Sequence, residues 1–380
     1  MKKIYITDYS CICNLGANIK EIFLNAINAN SNKLIPDSNF IKGKTIPVGK
    51  VSANLPEISK TKYNTRCNRF LLHCLNNLNT QEILKKYSRR KIGIVIATTN
   101  TGVEEFSQTQ NKTYLEISNP AQFLKEELKT EGFFCGVSVS CASGIKAFSL
   151  AQKLLNKGIC DCVIAGGSDS LAHLAIHGFN SLEVLSDAST IPFSQNRSGI
   201  NIGEGAALFI LEKEPKDENS IEISGIGESS DAYHYSTPNP AGIQAQLAIE
   251  KALENANLLP EEIDYINLHG TGTNANDLME ATAINKIFGN KTWASSTKPL
   301  TGHCLGAAAS IEAALCCALL SSINPYNQIY PHIYDEEYDK NLPTINLVQK
   351  GLKLEKLENV LSNAFGFGGA NAVMILRRAK

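Results

Sequence analysis

The sequence predicts an α/β fold in which two successive parts of the chain each combine strands with helices. Short, apolar, β-branched runs indicate buried strands, and they recur at 91–98, 161–166, 206–211 and 221–226. Amphipathic segments that indicate helices alternate with these strands. A charged segment that contains a proline, 212–220, lies between the two parts. The predicted domains are therefore residues 1–215 and 216–380.

The remaining predicted elements follow in a regular order along the chain. Helical segments are predicted near 18–30, 66–85, 119–130, 143–157, 241–257, 275–287 and 304–321. Further strands are predicted at 136–140, 264–268, 358–364 and 371–377. A Gly-Gly-Ser-Asp turn is predicted to follow the strand at 161–166, because paired glycines are typical of turns.

The composition argues against several classes of protein. The net charge is −1, from 36 Lys and Arg against 37 Asp and Glu, so the basic excess typical of nucleic-acid binding is missing. The chain is 43% hydrophobic and 19% charged, as in a globular protein with a large core. It has no apolar run of about 18 residues, and its first residues lack the apolar core of a signal peptide. We therefore expect a cytoplasmic protein that binds neither nucleic acid nor a membrane.

Most of the eleven cysteines are expected to be buried small side chains. They form no C-x2-C pairs of the kind that bind zinc, and an odd number in a large chain argues against a disulfide framework. No metal site is predicted. Cys141 is the exception to the structural interpretation, because of the residues around it.

Cys141 lies where a predicted strand meets a helix of small residues, in the segment Val137–Lys146 (VSVSCASGIK). This position at a helix N-terminus favours the thiolate, because unpaired N–H groups and the helix dipole stabilise negative charge. Ala142, Ser143 and Gly144 leave room for a substrate carbonyl. Small-residue turns around a cysteine also occur in purely structural positions, so this motif alone leaves both roles open.

A second motif, 267–280 (NLHGTGTNANDLME), places a histidine directly after a predicted strand. The turn that follows His269 is rich in Gly and Thr, and Thr271 and Thr273 offer hydroxyl groups beside the ring. Such a histidine faces a cavity if the site is functional. A structural histidine that caps the turn is the alternative.

Two further motifs lie nearer the C-terminus. The segment 296–312 (STKPLTGHCLGAAASIE) supplies Lys298 and His303 before a helix of small residues. The segment 362–371 (SNAFGFGGAN) is a Gly-rich turn between two predicted strands. A nucleotide site is the alternative for this turn, but it has neither a G-x-G-x-x-G before a helix nor a phosphate-binding lysine.

Together, in this order and spacing, the four motifs resemble the β-ketoacyl-acyl-carrier-protein synthases of type II fatty-acid and polyketide systems. The resemblance extends from about residue 91 to the C-terminus and includes Pro192-Phe-(x)3-Arg197-(x)5-Gly203-Glu-Gly205. It is weaker over residues 1–90, where Ile4-Tyr-Ile-Thr is similar to the family's first strand. The resemblance implies a thiolase-like fold, with two similar α/β halves, mixed sheets and a layered α/β/α/β/α arrangement.

The resemblance also implies a Cys-His-His site. Cys141 would be the nucleophile, His269 and His303 would lie beside a malonyl thioester, and Lys298 would organise the site electrostatically. Backbone N–H groups of Cys141 and Phe367 would form an oxyanion hole, and Phe367 would gate the access of the second substrate. Other residues are implied in substrate binding (Thr271, Thr273, Phe365, Gly368) and as charged support for Lys298 (Asp277, Glu280, Glu312).

These implied roles correspond to a decarboxylative Claisen condensation in fatty-acid or polyene biosynthesis. The Cys141 thiolate would attack an acyl thioester and hold the chain covalently. A malonyl thioester would then lose carbon dioxide, and two neutral imidazoles would donate hydrogen bonds to the enolate oxygen. The carbanion would attack the acyl group on Cys141. Both substrates would be carried on the phosphopantetheine of an acyl carrier protein, and no metal or organic cofactor is expected.

Other functions explain the motifs less well. A non-catalytic chain-length factor of the same fold is the main alternative, but such proteins lack the nucleophile. A thiolase would share the fold and a cysteine, without the His-Gly-Thr-Gly-Thr and Lys-(x)4-His motifs. An initiating ketosynthase would have Asn in place of His303, and a cysteine hydrolase would leave Lys298 and the Gly-rich turn unexplained.

Two segments refine the resemblance. The residues 177–186 (HGFNSLEVLS) and 119–124 (NPAQFL) are similar to the ketosynthases of aryl-polyene pathways, which act beside a catalytically silent partner. The stretch between Gly102 and Val137 is also shorter than in fatty-acid elongation synthases. A general fatty-acid role is the alternative. The functional unit is therefore expected to be a homodimer, or a heterodimer with a chain-length factor.

A basic cluster on and before a predicted helix is a candidate for docking the carrier. It consists of Lys60, Lys62, Arg66 and Arg69. Carrier proteins are normally acidic, so this cluster is predicted to steer the carrier onto the enzyme. A solvated helix face is the alternative.

Overall fold

The computed structural model of the protein describes residues 3–30 and 33–379. The strands are β1 (Ile4–Cys13), β2 (Ile35–Ile41), β3 (Lys44–Gly49), β4 (Ile92–Ala97), β5 (Phe134–Val137), β6 (Cys162–Asp169), β7 (Ile202–Gly203), β8 (Gly205–Glu212), β9 (Ile221–Ser230), β10 (Tyr265–Asn267), β11 (Trp293–Ser295), β12 (Asn346–Leu347), β13 (Asn359–Gly366) and β14 (Ala370–Arg378). The helices are α1 (Ile19–Ile27), α2 (Arg66–Asn76), α3 (Thr80–Lys86), α4 (Val103–Thr109), α5 (Asn119–Leu128), α6 (Ser143–Asn156), α7 (His173–Ser181), α8 (Ile243–Ala256), α9 (Asn274–Phe288), α10 (Lys298–Thr301) and α11 (Ala308–Leu320).

The two halves of the chain repeat one sheet topology. In the first half the strand order is β1-β8-β6-β4-β5, with β4 parallel to both of its neighbours and β8 antiparallel to both of its own. In the second half the order β9-β14-β13-β10-β11 has the same directions. A short pairing of β1 with β9 joins the halves into one 11-stranded sheet. The prediction of two similar halves with mixed sheets is confirmed, whereas the boundary at 215/216 stays a prediction.

The helices complete a layered arrangement. α6 and α11 form the middle layer, because α6 packs on β4, β6 and β14 while α11 packs on β1, β8, β13 and β14. α2 and α5 cover the outer face of the first half, and α8 covers that of the second. Every residue of α11 is buried, as its sequence AASIEAALCCALL requires of a helix between two sheets.

The Gly-Gly-Ser-Asp turn predicted after the strand at 161–166 is wrong. These four residues continue β6, where they pair with β4 and β8. The glycines are required by packing: a Cβ on Gly166 would collide with the carbonyl of Ala207, and one on Gly167 would lie 2.9 Å from Ser310 Oγ. Close approach of neighbouring backbones, rather than a turn, therefore explains this glycine pair.

The predicted helix at 66–85 is two helices, α2 and α3, and the break between them falls in an Asn-rich stretch. The Asn79 N–H donates to Asp8 Oδ2 at 2.8 Å, which ties the break to β1. The hairpin of β2 and β3 and the helices α4 and α7 were not predicted, because most of their residues are exposed or only partly buried and lack a clear apolar period. No helix among the described residues is long and apolar enough to cross a membrane.

Candidate active site

The candidate active site lies where four turns of the chain meet around one pocket of about 350 Å³. Cys141 follows β5, His269 follows β10, His303 precedes α11, and Phe367 lies between β13 and β14. All four residues line this pocket. The fold therefore brings together the four motifs that lie far apart in the sequence.

Cys141 lies in a tight turn that side-chain hydrogen bonds hold. The strand predicted at 136–140 ends earlier, because Ser140 adopts a positive φ of 47° that no strand can accommodate. Ser143 Oγ donates to the Ser140 carbonyl at 2.6 Å and accepts from the Val139 N–H at 2.8 Å. Since α6 begins at Ser143, the cysteine sits at a helix N-terminus as predicted.

Two glycines let this turn approach its neighbours. A Cβ on Gly366 would lie 3.1 Å from the Cys141 nitrogen, so glycine there allows the Gly-rich turn to reach the cysteine. A Cβ on Gly144 would lie 2.7 Å from the Ser310 nitrogen. Gly144 was predicted to leave room for a substrate carbonyl. Its packing shows instead that it permits the close contact of α6 with α11.

The Cys141 thiol is buried and surrounded by hydrogen-bonding groups. Its Sγ lies 2.9 Å from His303 Nε2. The backbone N–H groups of Phe367 and of Cys141 itself favour the charged form of the sulfur and so lower its pKa. Burial nevertheless raises the pKa of Cys141 to about 11, more than Lys298 and the two N–H groups lower it. The predicted stabilisation of a thiolate by the helix N-terminus is therefore overridden, and the resting group is a thiol.

This protonation state predicts how the alkylation of Cys141 depends on pH. Only the thiolate reacts, so the rate with iodoacetamide should rise about tenfold per unit between pH 7 and 9, without a plateau. Peptide mass spectrometry would follow the modification of Cys141, with N-acetylcysteine as the reference thiol. A plateau below pH 8 would contradict the prediction and would mean that Cys141 and His303 rest as a thiolate–imidazolium pair.

Both histidines are neutral and firmly placed. The backbone N–H of His303 donates to the Asn201 carbonyl at 2.7 Å, and the backbone N–H of His269 donates to Glu280 Oε1 at 2.7 Å. Burial, and then the charge of Lys298, lower both imidazole pKa values well below the usual value. Lys298 Nζ lies 3.3 Å from His269 Nδ1. An ammonium group can only donate, so His269 carries its proton on Nε2.

Lys298 is fully buried and has one charged partner. Its Nζ lies 2.6 Å from Glu312 Oε1, and the Glu312 side chain is only 3% exposed. Burial raises the pKa of Glu312, and Lys298 opposes that shift. The pair therefore places a compensated ammonium group against His269, which fixes the tautomer of that imidazole.

The resemblance implied that Asp277 and Glu280 support Lys298, but the hydrogen bonds of both carboxyl groups go to other residues. Asp277 accepts hydrogen bonds from the backbone N–H groups of Phe193 (2.8 Å) and Gly272 (3.2 Å). Glu280 accepts those of the His269 turn. Burial raises the pKa of Asp277 to about 6 and that of Glu280 to about 7. Both carboxyl groups thus brace the Gly/Thr turn by satisfying its backbone donors.

The residues implied in substrate binding do not all reach the pocket. Thr271, Thr273 and Phe365 line it, and the two threonine hydroxyls lie 2.9 Å apart. Gly368 is not among the lining residues, because its N–H points away and donates to the Tyr235 carbonyl at 2.7 Å. Its φ of 82° explains why glycine is used there.

The predicted gate residue Phe367 stacks on Phe179, with ring centroids 5.6 Å apart and planes 29° apart. Phe179 in turn meets the His303 ring edge-on at 6.3 Å. This wall of the pocket lies outside the four motifs, because its residues come from several separate elements, and the segment 177–186 that supplies three of them was not predicted to reach the pocket. The wall includes Phe179, Leu182, Val184, Ile200, Ser236 and Pro238.

Cys141, His269 and His303 also form the single group of described residues, within 3–30 and 33–379, whose ligand atoms are close enough to hold a metal. Those atoms lie within 4.8 Å of one another. The Lys298 ammonium group beside His269 opposes the binding of a cation. The absence of a metal from the chemistry stays a prediction.

The basic cluster predicted to dock a carrier is largely neutralised by internal partners. Lys60 and Lys62 both pair with Glu126, at 3.1 and 2.9 Å. Arg66 Nε donates to Glu204 Oε2 at 2.8 Å, and Glu204 is buried. Arg66 therefore also has a structural partner, and the docking role of Lys60, Lys62, Arg66 and Arg69 stays a prediction.

Replacing Arg66 with methionine should lower the free energy of unfolding by about 2–3 kcal/mol, because the Glu204 carboxylate would remain buried without its charged partner. The loss is below that of a fully buried pair because the Arg66 side chain is 33% exposed. In the control Arg69→Met the lost partner, Glu57, is 93% exposed, so a change under about 0.5 kcal/mol is expected. Urea denaturation of both variants measures the difference. If both variants lost equally little unfolding free energy, backbone donors alone would be sufficient to stabilise the Glu204 carboxylate.

A buried thiol and two neutral imidazoles between two repeated α/β halves define a protein of the thiolase-like class. Residues 52–217 match the sequence profile of the beta-ketoacyl synthase N-terminal domain, and residues 221–325 match that of the C-terminal domain. The chain belongs to the β-ketoacyl synthase family.

Individual relatives agree with this assignment. The chain is 34% identical over 270 residues to 3-oxoacyl-acyl-carrier-protein synthase 2 of Coxiella burnetii, covering 67% of this chain and 64% of that protein. It is 36% identical over 257 residues to Nodulation protein E of Rhizobium leguminosarum bv. trifolii, covering 64% and 61%. The chain thus spans somewhat under two thirds of these curated relatives. The ketosynthase ApeO, solved in complex with its chain length factor ApeC from Xenorhabdus doucetiae, superposes with a TM-score of 0.93 at 37% identity, over 100% of this chain and 98% of that one.

Proposed function

We propose that the protein is a β-ketoacyl-acyl-carrier-protein synthase that condenses a malonyl thioester with an acyl chain held on Cys141. The observation that carries this proposal is the contact of Cys141 Sγ with His303 Nε2 at 2.9 Å, in a pocket that also contains His269. A non-catalytic chain-length factor has no use for these three groups. The arrangement therefore favours the catalytic function.

In the first half-reaction, the Cys141 thiol gives its proton to His303 Nε2 while the sulfur attacks the carbonyl of an acyl thioester. The N–H groups of Cys141 and Phe367 receive the negative charge on the carbonyl oxygen. The intermediate then collapses and breaks the bond to the carrier sulfur. The departing thiolate takes the proton back from His303, so the carrier leaves as a thiol and the acyl chain stays on Cys141.

In the second half-reaction, the malonyl carboxylate departs as carbon dioxide and its bonding electrons move to the thioester oxygen. His269 donates a hydrogen bond from its Nε2–H to that oxygen and keeps the proton, because Lys298 occupies Nδ1. His303 Nδ1 has no partner, so this ring can also adopt the tautomer that donates from Nε2. The carbanion attacks the acyl carbonyl, and the Cys141 thiolate leaves and takes up one proton.

The partners follow from the relatives. One curated relative is named for an acyl carrier protein, and ApeO was solved with a chain length factor. We therefore propose that the substrates are carrier-bound, that a ketosynthase-like subunit or a second copy completes the functional dimer, and that the reaction occurs in the cytoplasm. The likeness to ApeO and the segment 177–186 favour a polyene-type pathway over general fatty-acid elongation.

Product formation tests the proposal directly. The protein would be mixed with an acyl-carrier and malonyl-carrier protein, alone and with a chain-length-factor partner, and the carrier would be weighed by mass spectrometry. A carrier-bound β-ketoacyl product that requires malonyl-carrier protein is the expected result. If Cys141 accepts acyl chains but no β-ketoacyl product forms with either partner arrangement, the condensing function is wrong.

A further inference from the structure

His332 is a buried histidine that the chemistry above does not use. Its side chain lies behind the active site, between the turn after β11 and the chain at Pro192. The backbone of His332 is held independently of its ring, because its N–H donates to the Val348 carbonyl at 2.8 Å. The ring packs against Phe193 and Tyr334, at centroid distances of 5.8 and 5.1 Å.

Each ring nitrogen of His332 meets a partner of only one kind. Nε2 lies 2.9 Å from the Pro192 carbonyl, which can only accept. Nδ1 accepts the backbone N–H of Ser296 at 3.2 Å. The ring is therefore neutral with its proton on Nε2, and burial lowers the pKa of His332 to about 4. A substitute for His332 would therefore need an acceptor at the position of Nδ1 and a donor at the position of Nε2 to keep both contacts.

Ser296 connects this histidine to two residues of the site. Its hydroxyl donates to the Gly270 carbonyl at 2.7 Å and accepts the backbone N–H of Lys298 at 3.2 Å. Gly270 directly follows His269, and a Cβ there would lie 2.5 Å from Ser296 Cβ, so the two turns are closely packed. The position of Ser296 thus sets the spacing between the His269 turn and the start of α10.

We propose that His332 is a positioning residue for the decarboxylation step. By accepting the Ser296 N–H, it holds the Ser296 hydroxyl between Gly270 and Lys298, and so keeps the Lys298 ammonium group aligned with His269 Nδ1. None of these contacts involves Cys141. The inference rests on the proposed function, and it assigns His332 to the malonyl-activating half of the site alone.

Two substitutions separate the two contacts of the ring. The shorter amide introduced by His332→Asn would reach the position of Nδ1 and keep an acceptor for Ser296, whereas the longer amide of His332→Gln would reach the position of Nε2 and keep only the bond to Pro192. We expect malonyl decarboxylation to fall about 10- to 100-fold in His332→Gln, because small displacements of catalytic groups have effects of this size. In His332→Asn the rate should stay within about threefold of the wild-type rate.

The acyl loading of Cys141, measured by intact mass, would fall if His332 were needed only for the stability of the fold. It should be unchanged in both variants, because Cys141 and His303 do not contact this network. Equal losses of decarboxylation in the two variants, or a parallel loss of loading, would overturn the proposal. So would wild-type decarboxylation in His332→Gln.

A measurement without turnover keeps this inference separate from the proposed function. Deuterium exchange should be faster over residues 266–273 and 293–300 in His332→Gln than in His332→Asn, with unchanged exchange in α6. If the wild-type protein neither loads nor decarboxylates, the proposed function fails while this difference still tests the positioning network. Identical exchange in the two variants would overturn the network itself.

Discussion

Replacing Cys141 with alanine should abolish acyl loading and condensation while leaving malonyl decarboxylation in place. Loading requires the sulfur, and no other thiol among the described residues lines the pocket. Condensation should therefore fall by at least about 10⁴-fold, to the background of the assay. Decarboxylation places its developing charge on a thioester oxygen near His269 and His303, whose backbone N–H groups are held by Glu280 and Asn201 without the sulfur.

Intact mass and carbon dioxide release would measure the two activities of Cys141→Ala separately. The matched control is Cys317→Ala, because Cys317 is equally buried but lies in the middle layer of the fold, away from the pocket. The control should load normally. Acyl loading that survives in Cys141→Ala would mean that another residue is the nucleophile. Loss of decarboxylation together with loading would contradict the prediction and would mean that decarboxylation also requires the Cys141 sulfur.

The residues of the candidate site could be located from the sequence because each lies in a short local pattern, whereas their proposed roles came from the resemblance of the four motifs to a known family. Cys141 and His269 each follow a strand and stand in a turn of small residues, and His303 stands in a small-residue turn before a buried helix. Chain connectivity fixes such surroundings within a few residues. The same reasoning located Lys298, since its motif also contains His303.

Contacts between distant parts of the chain could not be predicted in this way. The ion pair of Arg66 with the buried Glu204 was not predicted, because the two residues are 138 positions apart in the sequence. The partner of Lys298 could not be chosen among three acidic residues, since all three flank the same motifs. The raised pKa of Cys141 could not be predicted for a related reason: the helix N-terminus that favours the thiolate is a local feature, whereas the burial that raises the pKa comes from the whole fold.

The buried pair of Lys298 and Glu312 allows stability and catalysis to be separated. Lys298→Met should lower the free energy of unfolding by about 3–5 kcal/mol at neutral pH, because it leaves Glu312 buried without its cation. Without Lys298 the pKa of the Glu312 carboxyl rises further above its unfolded value. The folded state then binds more protons than the unfolded state, so the loss of stability should grow as the pH increases from 5 to 8.

The effect of Lys298→Met on decarboxylation and condensation should have a different cause from its effect on stability. Lys298→Met removes the donor to His269 Nδ1, so the imidazole can place its proton there and lose the Nε2 donor that faces the enolate. Decarboxylation and condensation should fall about 10²- to 10³-fold, as when one oxyanion donor is removed.

The double variant Lys298→Met/Glu312→Leu distinguishes these two effects. It replaces the ion pair with apolar groups of similar size, so its stability should return to within about 1 kcal/mol of the wild type. Its decarboxylation should stay as low as in Lys298→Met, because the tautomer of His269 is still unrestrained. Recovery of both quantities would mean that Lys298 acts only through stability. Recovery of neither would mean that the apolar pair does not pack in place of the ion pair.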